Sequence, residues 1–368
     1  MNDIFFLDES SIKTKLKNVC DSDIIKILKK TANFTIDDFI ALISEPAEKY
    51  LEELAQKALS IKIQRFGKTI KFYCPLYVSN KCINNCLYCG FKATNFARRK
   101  TLNFAEIESE ALKIKEFGFD NILIVSGEQP DEITMDYLLK TIEILIKYFS
   151  YIGIEIYPLS ESEYKALSNA GVDGLTLYQE TYNLEIYKEM HKYSQKQNFN
   201  YRLAAIENGA KAGIKELTLG ILLGLYDWRI DSVFLAQHAK YLIKKYWRSH
   251  INISFPRIRP SVSDFQPRYP VSDKNLAQLI IALRIVFQDA GLNLSTREPA
   301  ALRDNLVNLG ITHLSAGSKT NPGGYNINDR TEEQFKISDE RSPYEIADTL
   351  KSKNIDVVWK DWDKYLKI

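Results

Sequence analysis

From residue 71 onward the chain alternates short apolar stretches with longer amphipathic ones, and this alternation limits its possible folds more than any other feature. Eight stretches have the length and texture of β-strands: Phe72–Val78, Ile122–Ser126, Ile154–Pro158, Gly174–Tyr178, Leu217–Ile221, Ile251–Phe255, Leu292–Thr296 and Ile311–Ser315. Between them apolar residues recur at helical spacing over 104–117, 131–149, 161–170, 230–247 and 273–290, and Ser160 and Ser272 stand where helix caps belong. Strands that alternate with helices build parallel sheets, and eight such units predict an α/β fold of the (β/α)8 TIM-barrel type. An open doubly wound sheet is the alternative. No Pro-, Gly- or Ser-rich linker divides residues 71–325, which we read as one barrel domain. Residues 1–70 show helical spacing only, as in Ile24-Ile25-Ile27-Leu28 and Leu51-Leu54-Ala58-Leu59, and read as an N-terminal helical extension. Residues 326–368 read as a C-terminal tail that packs on the barrel, polar to Arg341, then one short helix, then Val357-Val358-Trp359-Lys360-Asp361-Trp362.

Active sites of such barrels sit at the C-terminal ends of the strands. Special residues should therefore follow the strands, and they do. Cys82, Cys86 and Cys89 follow the first strand, Ser126-Gly127-Glu128 ends the second, and Gln179-Glu180-Thr181 follows the fourth. Arg257 and Arg259 follow the sixth, Arg297-Glu298 the seventh, and Ser315 to Lys319 the eighth.

A net charge of only +2 excludes a broad nucleic-acid footprint or a polybasic membrane anchor. The short basic runs Arg98-Arg99-Lys100 and Lys244-Lys245 read as solvated. The start, MNDIFFLDES, lacks a signal leader, and no apolar run approaches the ~20 residues of a membrane helix. A cytoplasmic setting with reduced thiols is the expectation. Five cysteines, an odd number, suit metal binding better than a disulfide framework.

The stretch Cys82-Ile-Asn-Asn-Cys86-Leu-Tyr-Cys89 spaces three thiols as CxxxCxxC in a loop after a strand. Thiolates this close point to a soft metal centre. Iron–sulfur clusters usually take four cysteines, so three leave one iron open for a ligand. S-adenosylmethionine can chelate such an iron through its amino and carboxylate groups. A zinc site completed by Cys74 or a histidine is the competing reading, and Cys20 and Cys74 otherwise read as buried thiols.

The motif, with Tyr88 before its last cysteine, resembles the radical S-adenosylmethionine superfamily. The segments at 76–91, 98–102, 126–128, 178–182, 254–260, 294–298, 318–325 and 357–365 together resemble its aromatic-amino-acid lyases, above all the tyrosine lyases of thiamine thiazole synthesis. The resemblance implies a four-iron four-sulfur cluster on Cys82, Cys86 and Cys89. It implies S-adenosylmethionine contacts from Tyr88, Ser126, Gly127, Glu128, Gln179, Glu180 and Arg202. Gly220 to Asp227 resembles the family's adenine platform, with Asp227 where Glu is usual. Arg297, helped by Ser315, is expected to bind the substrate carboxylate through its guanidinium fork. The implied reaction cleaves the Cα–Cβ bond of L-tyrosine to 2-iminoacetate and p-cresol. A thiazole synthase and a reductase or flavodoxin-type electron donor are the implied partners, with no nucleic acid and no membrane. A tryptophan lyase and a non-catalytic iron–sulfur carrier are the alternatives. The related lyase that matures hydrogenase carries a second cluster on a C-terminal cysteine domain, and no cysteine follows Cys89 here.

Overall fold

The computed structural model describes residues 4–327 and 331–360, so the end of the tail from Asp361, including Trp362, lies outside the described residues. Its strands are β1 (Thr69–Tyr73), β2 (Pro75–Ser79), β3 (Asn85–Cys86), β4 (Asn121–Ser126), β5 (Tyr151–Glu155), β6 (Gly174–Glu180), β7 (His191–Lys192), β8 (Glu216–Ile221), β9 (His250–Ser254), β10 (Gly291–Leu294), β11 (His313–Ser315) and β12 (Asp356–Val358). Ten of them form one parallel sheet, in the order β12-β1-β11-β10-β9-β8-β6-β5-β4-β2. β1 and β2 are successive halves of one extended stretch parted at Cys74. Because β1 pairs with β11 and β2 with β4, this one stretch joins the two sides and the sheet closes on itself, with β12 added beside β1. The eight-unit barrel read from the alternation is what forms.

Four helices precede the barrel: α1 (Glu9–Asn18), α2 (Asp21–Lys29), α3 (Ile36–Leu42) and α4 (Leu51–Phe66). The later helices are α5 (Phe104–Glu116), α6 (Met135–Leu145), α7 (Glu161–Ala170), α8 (Leu184–Met190), α9 (Phe199–Lys211), α10 (Trp228–Lys245), α11 (Asp273–Val286), α12 (Ala300–Leu306) and α13 (Pro343–Ser352). Ser160 and Ser272 cap α7 and α11 as expected, each accepting from the backbone three residues on. The N-terminal helices share one continuous apolar core with the barrel. Polar side chains pin them to its outer helices: Gln278 on α11 donates to the carbonyls of Leu42 and Ser44 at 3.0 and 2.8 Å, and Gln237 on α10 accepts from Phe6 and Leu7 at 3.0 and 2.9 Å.

Several boundaries differ from expectation, and three of the differences have a clear local reason. The first expected strand is two, because only its second half reaches β4. The place beside β1 is taken by β12, a strand the tail was not expected to contain, with Ile70 opposite Val357. Trp359 then packs edge-on against Phe72 and Phe119, at 5.2 and 5.5 Å between ring centroids. The third strand begins three residues early, at Tyr151, because Asn121 of β4 pairs with Tyr151 and Ser150 hydrogen-bonds the Asp120 carbonyl. The apolar alternation Ile152, Ile154, Ile156 runs past its end and hides where pairing stops. Finally, Cys20 is exposed rather than buried, and it stands at the N-cap of α2.

Candidate active site

The three cysteines lie in the loop after β2, at the C-terminal end of the barrel. Cys86 is buried, and Cys82 and Cys89 are half-buried against Tyr77, Phe91 and Val125. Backbone N–H groups of Asn84 and Glu128 reach the Cys82 sulfur, and that of Phe91 reaches Cys89. Burial pushes the thiols up, Cys86 to about 12 and Cys89 to about 11, while the Lys196 ammonium pulls the other way.

The loop is docked on the turn after β4. Ile83 donates to the Glu128 carbonyl at 2.8 Å, and Gly127 donates to Ser79 at 3.0 Å. A Cβ on Gly127 would lie 2.2 Å from the Lys81 carbonyl oxygen, so only glycine lets the two chains approach. The Glu128 carboxylate is buried and accepts from Asn84 at 2.6 Å. The Ser126 hydroxyl, two residues earlier, is buried and has no hydrogen-bond partner among the described residues. Arg99, expected to be solvated, donates instead to the carbonyls of Asn80, Phe91 and Lys92 at 2.7, 3.1 and 2.7 Å and holds the loop in shape.

At the end of β6 the pairing slips by one residue between Tyr178 and Glu180, and Glu180 takes a φ of +72°. Such backbone strain clusters at functional sites. The Glu180 carboxylate meets Lys196 at 2.8 Å and Arg202 at 3.4 Å. Burial alone would raise its pKa, but Lys196 and Arg202 outweigh it and hold it at about 2. Gln179 faces the other way, toward α9, where its amide lies 3.4 Å from the Phe199 carbonyl. This departs from the expected cofactor contact, and the reason is strand geometry: neighbours along a strand point to opposite faces.

Tyr88 donates to His191 Nε2 at 2.8 Å. We assign the imidazole proton to Nδ1, which lies 2.8 Å from the Tyr187 carbonyl and so donates to it. Burial, reinforced by Lys196, keeps this ring neutral by holding its pKa well below the usual value.

Below the loop, three cavities of about 70, 50 and 60 Å³ follow one another down the barrel. Each has room for several waters, since one water needs roughly 10–15 Å³. The upper is lined by Tyr88, Cys89, Glu180, Lys196 and Arg297, and the middle by Tyr77, Arg297, Ser315 and Ser318. Arg297 is stacked on Phe335, 3.3 Å from its ring centroid. The two carboxylates near it in sequence, Glu298 and Asp304, are engaged elsewhere. Glu298 takes Arg257 at 3.0 Å and Arg259 at 2.9 Å, and Asp304 takes Arg341 at 2.9 Å. Arg257 and Arg259, left without a role above, thus fix Glu298 and free Arg297. The Ser315 hydroxyl accepts from the Thr296 backbone at 2.9 Å and lines the same cavity. Asp227 accepts from the Arg229 and Ile230 backbones as the cap of α10.

Sequence reading missed several lining residues. Gln334 and Phe335 belong to the polar stretch read as tail, which crosses the barrel mouth. Gly90 donates to Gln334 O at 3.0 Å, and Tyr77 donates to its side chain at 2.7 Å. Lys196 stood in a loop with no pattern to mark it. Glu155 did leave a signal, a charge inside an apolar alternation, since buried parallel strands read as nearly continuous apolar runs.

The donor set suits an iron–sulfur cluster: three soft sulfurs, N–H groups on two of them, and a buried cation nearby. Among the described residues, no three His, Cys, Asp or Glu side chains converge closely enough to cage a single ion. Sulfurs that each take a different iron need not converge. The zinc alternative lacks its fourth ligand, for Cys74 is tied to the Tyr325 hydroxyl at 3.1 Å between β1 and β2, and His191 is engaged at both nitrogens.

Comparison with known proteins agrees. The radical SAM superfamily model matches residues 76–233, and the Biotin and Thiamin Synthesis associated domain matches 254–356. The chain is 41% identical to the 2-iminoacetate synthase of Escherichia coli over 361 residues, covering 98% of this chain and 96% of that protein. The 2-iminoacetate synthase of Salmonella typhimurium is 39% identical over the same shares. Among solved structures, HydG, a maturase of the FeFe-hydrogenase, superposes with a TM-score of 0.91 at 32% identity, covering 98% of this chain and 81% of HydG. Methylornithine synthase shares the fold, with a TM-score of 0.74 at 19% identity over 91% of this chain and 96% of its own.

Proposed function

The chain belongs to the radical S-adenosylmethionine superfamily and within it to the 2-iminoacetate synthases, and from that premise we propose how its residues divide the cleavage of tyrosine among them. It is a carbon–carbon lyase that uses a four-iron four-sulfur cluster and S-adenosylmethionine to convert L-tyrosine to 2-iminoacetate and p-cresol for thiamine thiazole synthesis. Cys82, Cys86 and Cys89 would hold the cluster, which when bound supplies the electron that opens S-adenosylmethionine to a carbon radical.

The observation that carries the assignment is a single cavity lined by Cys89, Glu180, Lys196 and an Arg297 that has no carboxylate hydrogen-bonded to it among the described residues. The guanidinium fork of Arg297 takes the tyrosine carboxylate in two parallel bonds, and Ser315 flanks it. Glu128, with the backbone at Ser126 and Gly127, takes the cofactor's ammonium. Glu180 and Arg202 offer a fixed anion and cation to its remaining polar groups, with Tyr88 on the wall beside Cys89. We leave Gln179 out of this set.

2-Iminoacetate hydrolyses in water, so a closed barrel and direct hand-over to a thiazole synthase suit it. A reductase or flavodoxin-type donor would supply the electron, in the cytoplasm. No helix among the described residues is long and apolar enough to cross a membrane.

Anaerobic reconstitution with iron and sulfide, then incubation with S-adenosylmethionine, dithionite and tyrosine, tests the assignment. p-Cresol and glyoxylate, the hydrolysis product, are expected together, and neither from tryptophan. Arg297→Lys keeps the charge but loses the fork, and should raise the KM for tyrosine ~10–100-fold, the worth of one charge-assisted hydrogen bond. An unchanged KM would remove Arg297 from the substrate site.

A further inference from the structure

Glu155 ends β5 and lines all three cavities, the one carboxylate among the described residues to do so. In the closed sheet β5 and β10 lie diametrically opposite, with β6, β8 and β9 between them one way and β4, the β1–β2 stretch and β11 the other. Glu155 therefore faces Arg297, which follows β10, across the barrel. The other inward carboxylates are committed: Glu180 to Lys196 and Arg202, and Glu216 to Lys71 at 3.8 Å and to the Tyr151 hydroxyl at 2.7 Å. Glu155 has no ion pair or side-chain hydrogen bond among the described residues. Charged and titratable groups around it are Arg297, Glu180, Arg202 and Lys196, with Tyr73, Tyr77 and Tyr178 on neighbouring strands.

The chemistry of the substrate needs such a group. Free tyrosine carries an ammonium at neutral pH. An ammonium has no lone pair to stabilise a nitrogen radical or to form the C=N bond of 2-iminoacetate as Cα–Cβ breaks, and a neutral amine has. One proton must therefore leave in a site that excludes bulk water.

We propose that Glu155 is the general base that takes this proton from tyrosine held on Arg297. One N–H bond breaks, its electron pair stays on nitrogen as the neutral amine, and the proton forms an O–H bond on the Glu155 carboxylate. The step consumes no oxidant or reductant. It rests on the reading of Arg297 as the carboxylate site given above. Burial pushes Glu155 up to about 7, and Arg297 opposes that rise. A base of that strength is ionised often enough at neutral pH to accept a proton and strong enough to hold one. Glu180, held at about 2, is too weak.

Glu155→Gln keeps size and hydrogen bonding but not basicity. In reconstituted enzyme, p-cresol release should fall ~100-fold or more, as loss of a general base implies. Calorimetric binding of tyrosine to the unreduced protein should stay within ~3-fold, since a group that acts in the reaction and not in ground-state binding changes the rate alone. The wild-type rate should rise with pH through about 7 as the carboxylate ionises, and this limb should be absent from the variant. A variant that keeps the limb, or one that loses tyrosine binding in proportion to rate, overturns the proposal. Wild-type enzyme that releases no p-cresol would instead count against the tyrosine assignment, so the two failures are distinguishable.

Discussion

Two regions wall the upper cavity, the cysteine loop at residues 80–99 and the segment at 331–341 that crosses the mouth opposite, and they are fastened by different physics. The loop rests on the turn after β4 and on β7, but its shape is set by short-range bonds within its own sequence. Asn80 donates to Arg98 O at 2.9 Å and accepts from Lys100 N at 2.7 Å, Asn95 donates to Gly90 O at 3.0 Å, and Arg99 grips carbonyls four to nineteen residues away. The crossing segment has no helix or strand of its own. It is laid on the barrel by distant backbone partners, Gln334 N to Thr320 O at 2.9 Å, Lys336 N to Pro260 O at 3.0 Å and Ser338 N to Thr296 O at 2.8 Å. It is locked by a buried ion pair, Arg303 with Asp339, that extends to Arg341 and Asp304. A loop shaped largely by its own short-range bonds can loosen locally. A segment bonded to the barrel through buried charges is tied to the stability of the whole.

The largest expected effect follows from that lock. Asp339→Ala leaves the Arg303 guanidinium buried without a carboxylate, and breaking a buried pair this way costs about 3–5 kcal/mol. Urea midpoints should fall accordingly for the whole molecule. Acid should do the same gradually. Burial raises the Asp339 pKa, but Arg341 and Arg303 outweigh it and hold it below its usual value. Its contribution is therefore fully present above the unfolded pKa of about 3.9 and is lost as pH falls through the lower folded value. Deuterium uptake at 331–341 that rises in acid before that of the rest of the barrel would break the contrast, since the segment would then open alone.

Arg99→Ala should act locally. It removes charge-assisted bonds to carbonyls that water can partly replace, at ~1–2 kcal/mol, and the reconstituted protein should retain less iron per chain while the urea transition moves little. If it lowers the global transition as far as Asp339→Ala does, the loop is not an independent unit.

The same contrast explains what sequence could reveal. The cysteine triad and Ser126-Gly127-Glu128 are contiguous, and their spacing carries their chemistry. Eight strand units were legible because parallel strands must be apolar on both faces. Gln334 and Phe335 were not, since nothing in a polar stretch says which barrel residues it will cover 15 to 257 residues away. That Gln179 turns toward α9 was not legible in a motif read as a block, because a strand alternates. Glu155 was passed over because the strand was set three residues late, which put the charge near the strand's start rather than at its C-terminal end, at cavity height. Arg257 and Arg259 were seen but not assigned, for their work is to occupy Glu298, a pairing across 41 and 39 residues.

The smallest effect sharpens the measurement on which the loop half of the contrast rests. Iron per chain reports on Cys82, Cys86 and Cys89 only if no other thiol competes, and Cys20 is the exposed cysteine away from the loop, whereas Cys74 is buried and bonded to Tyr325. Cys20 stands at the N-cap of α2, and its sulfur and backbone N–H both lie 3.2 Å from Asp23. Serine is a better helix N-cap than most residues, so Cys20→Ser should change stability by less than ~0.5 kcal/mol, the range of surface substitutions. Iron loading and p-cresol release should match wild type. In the Cys20→Ser background, Arg99→Ala must still lose iron. If the difference between Arg99 and Ala vanishes once Cys20 is gone, the exposed thiol, and not the loop, was holding the metal that distinguished them.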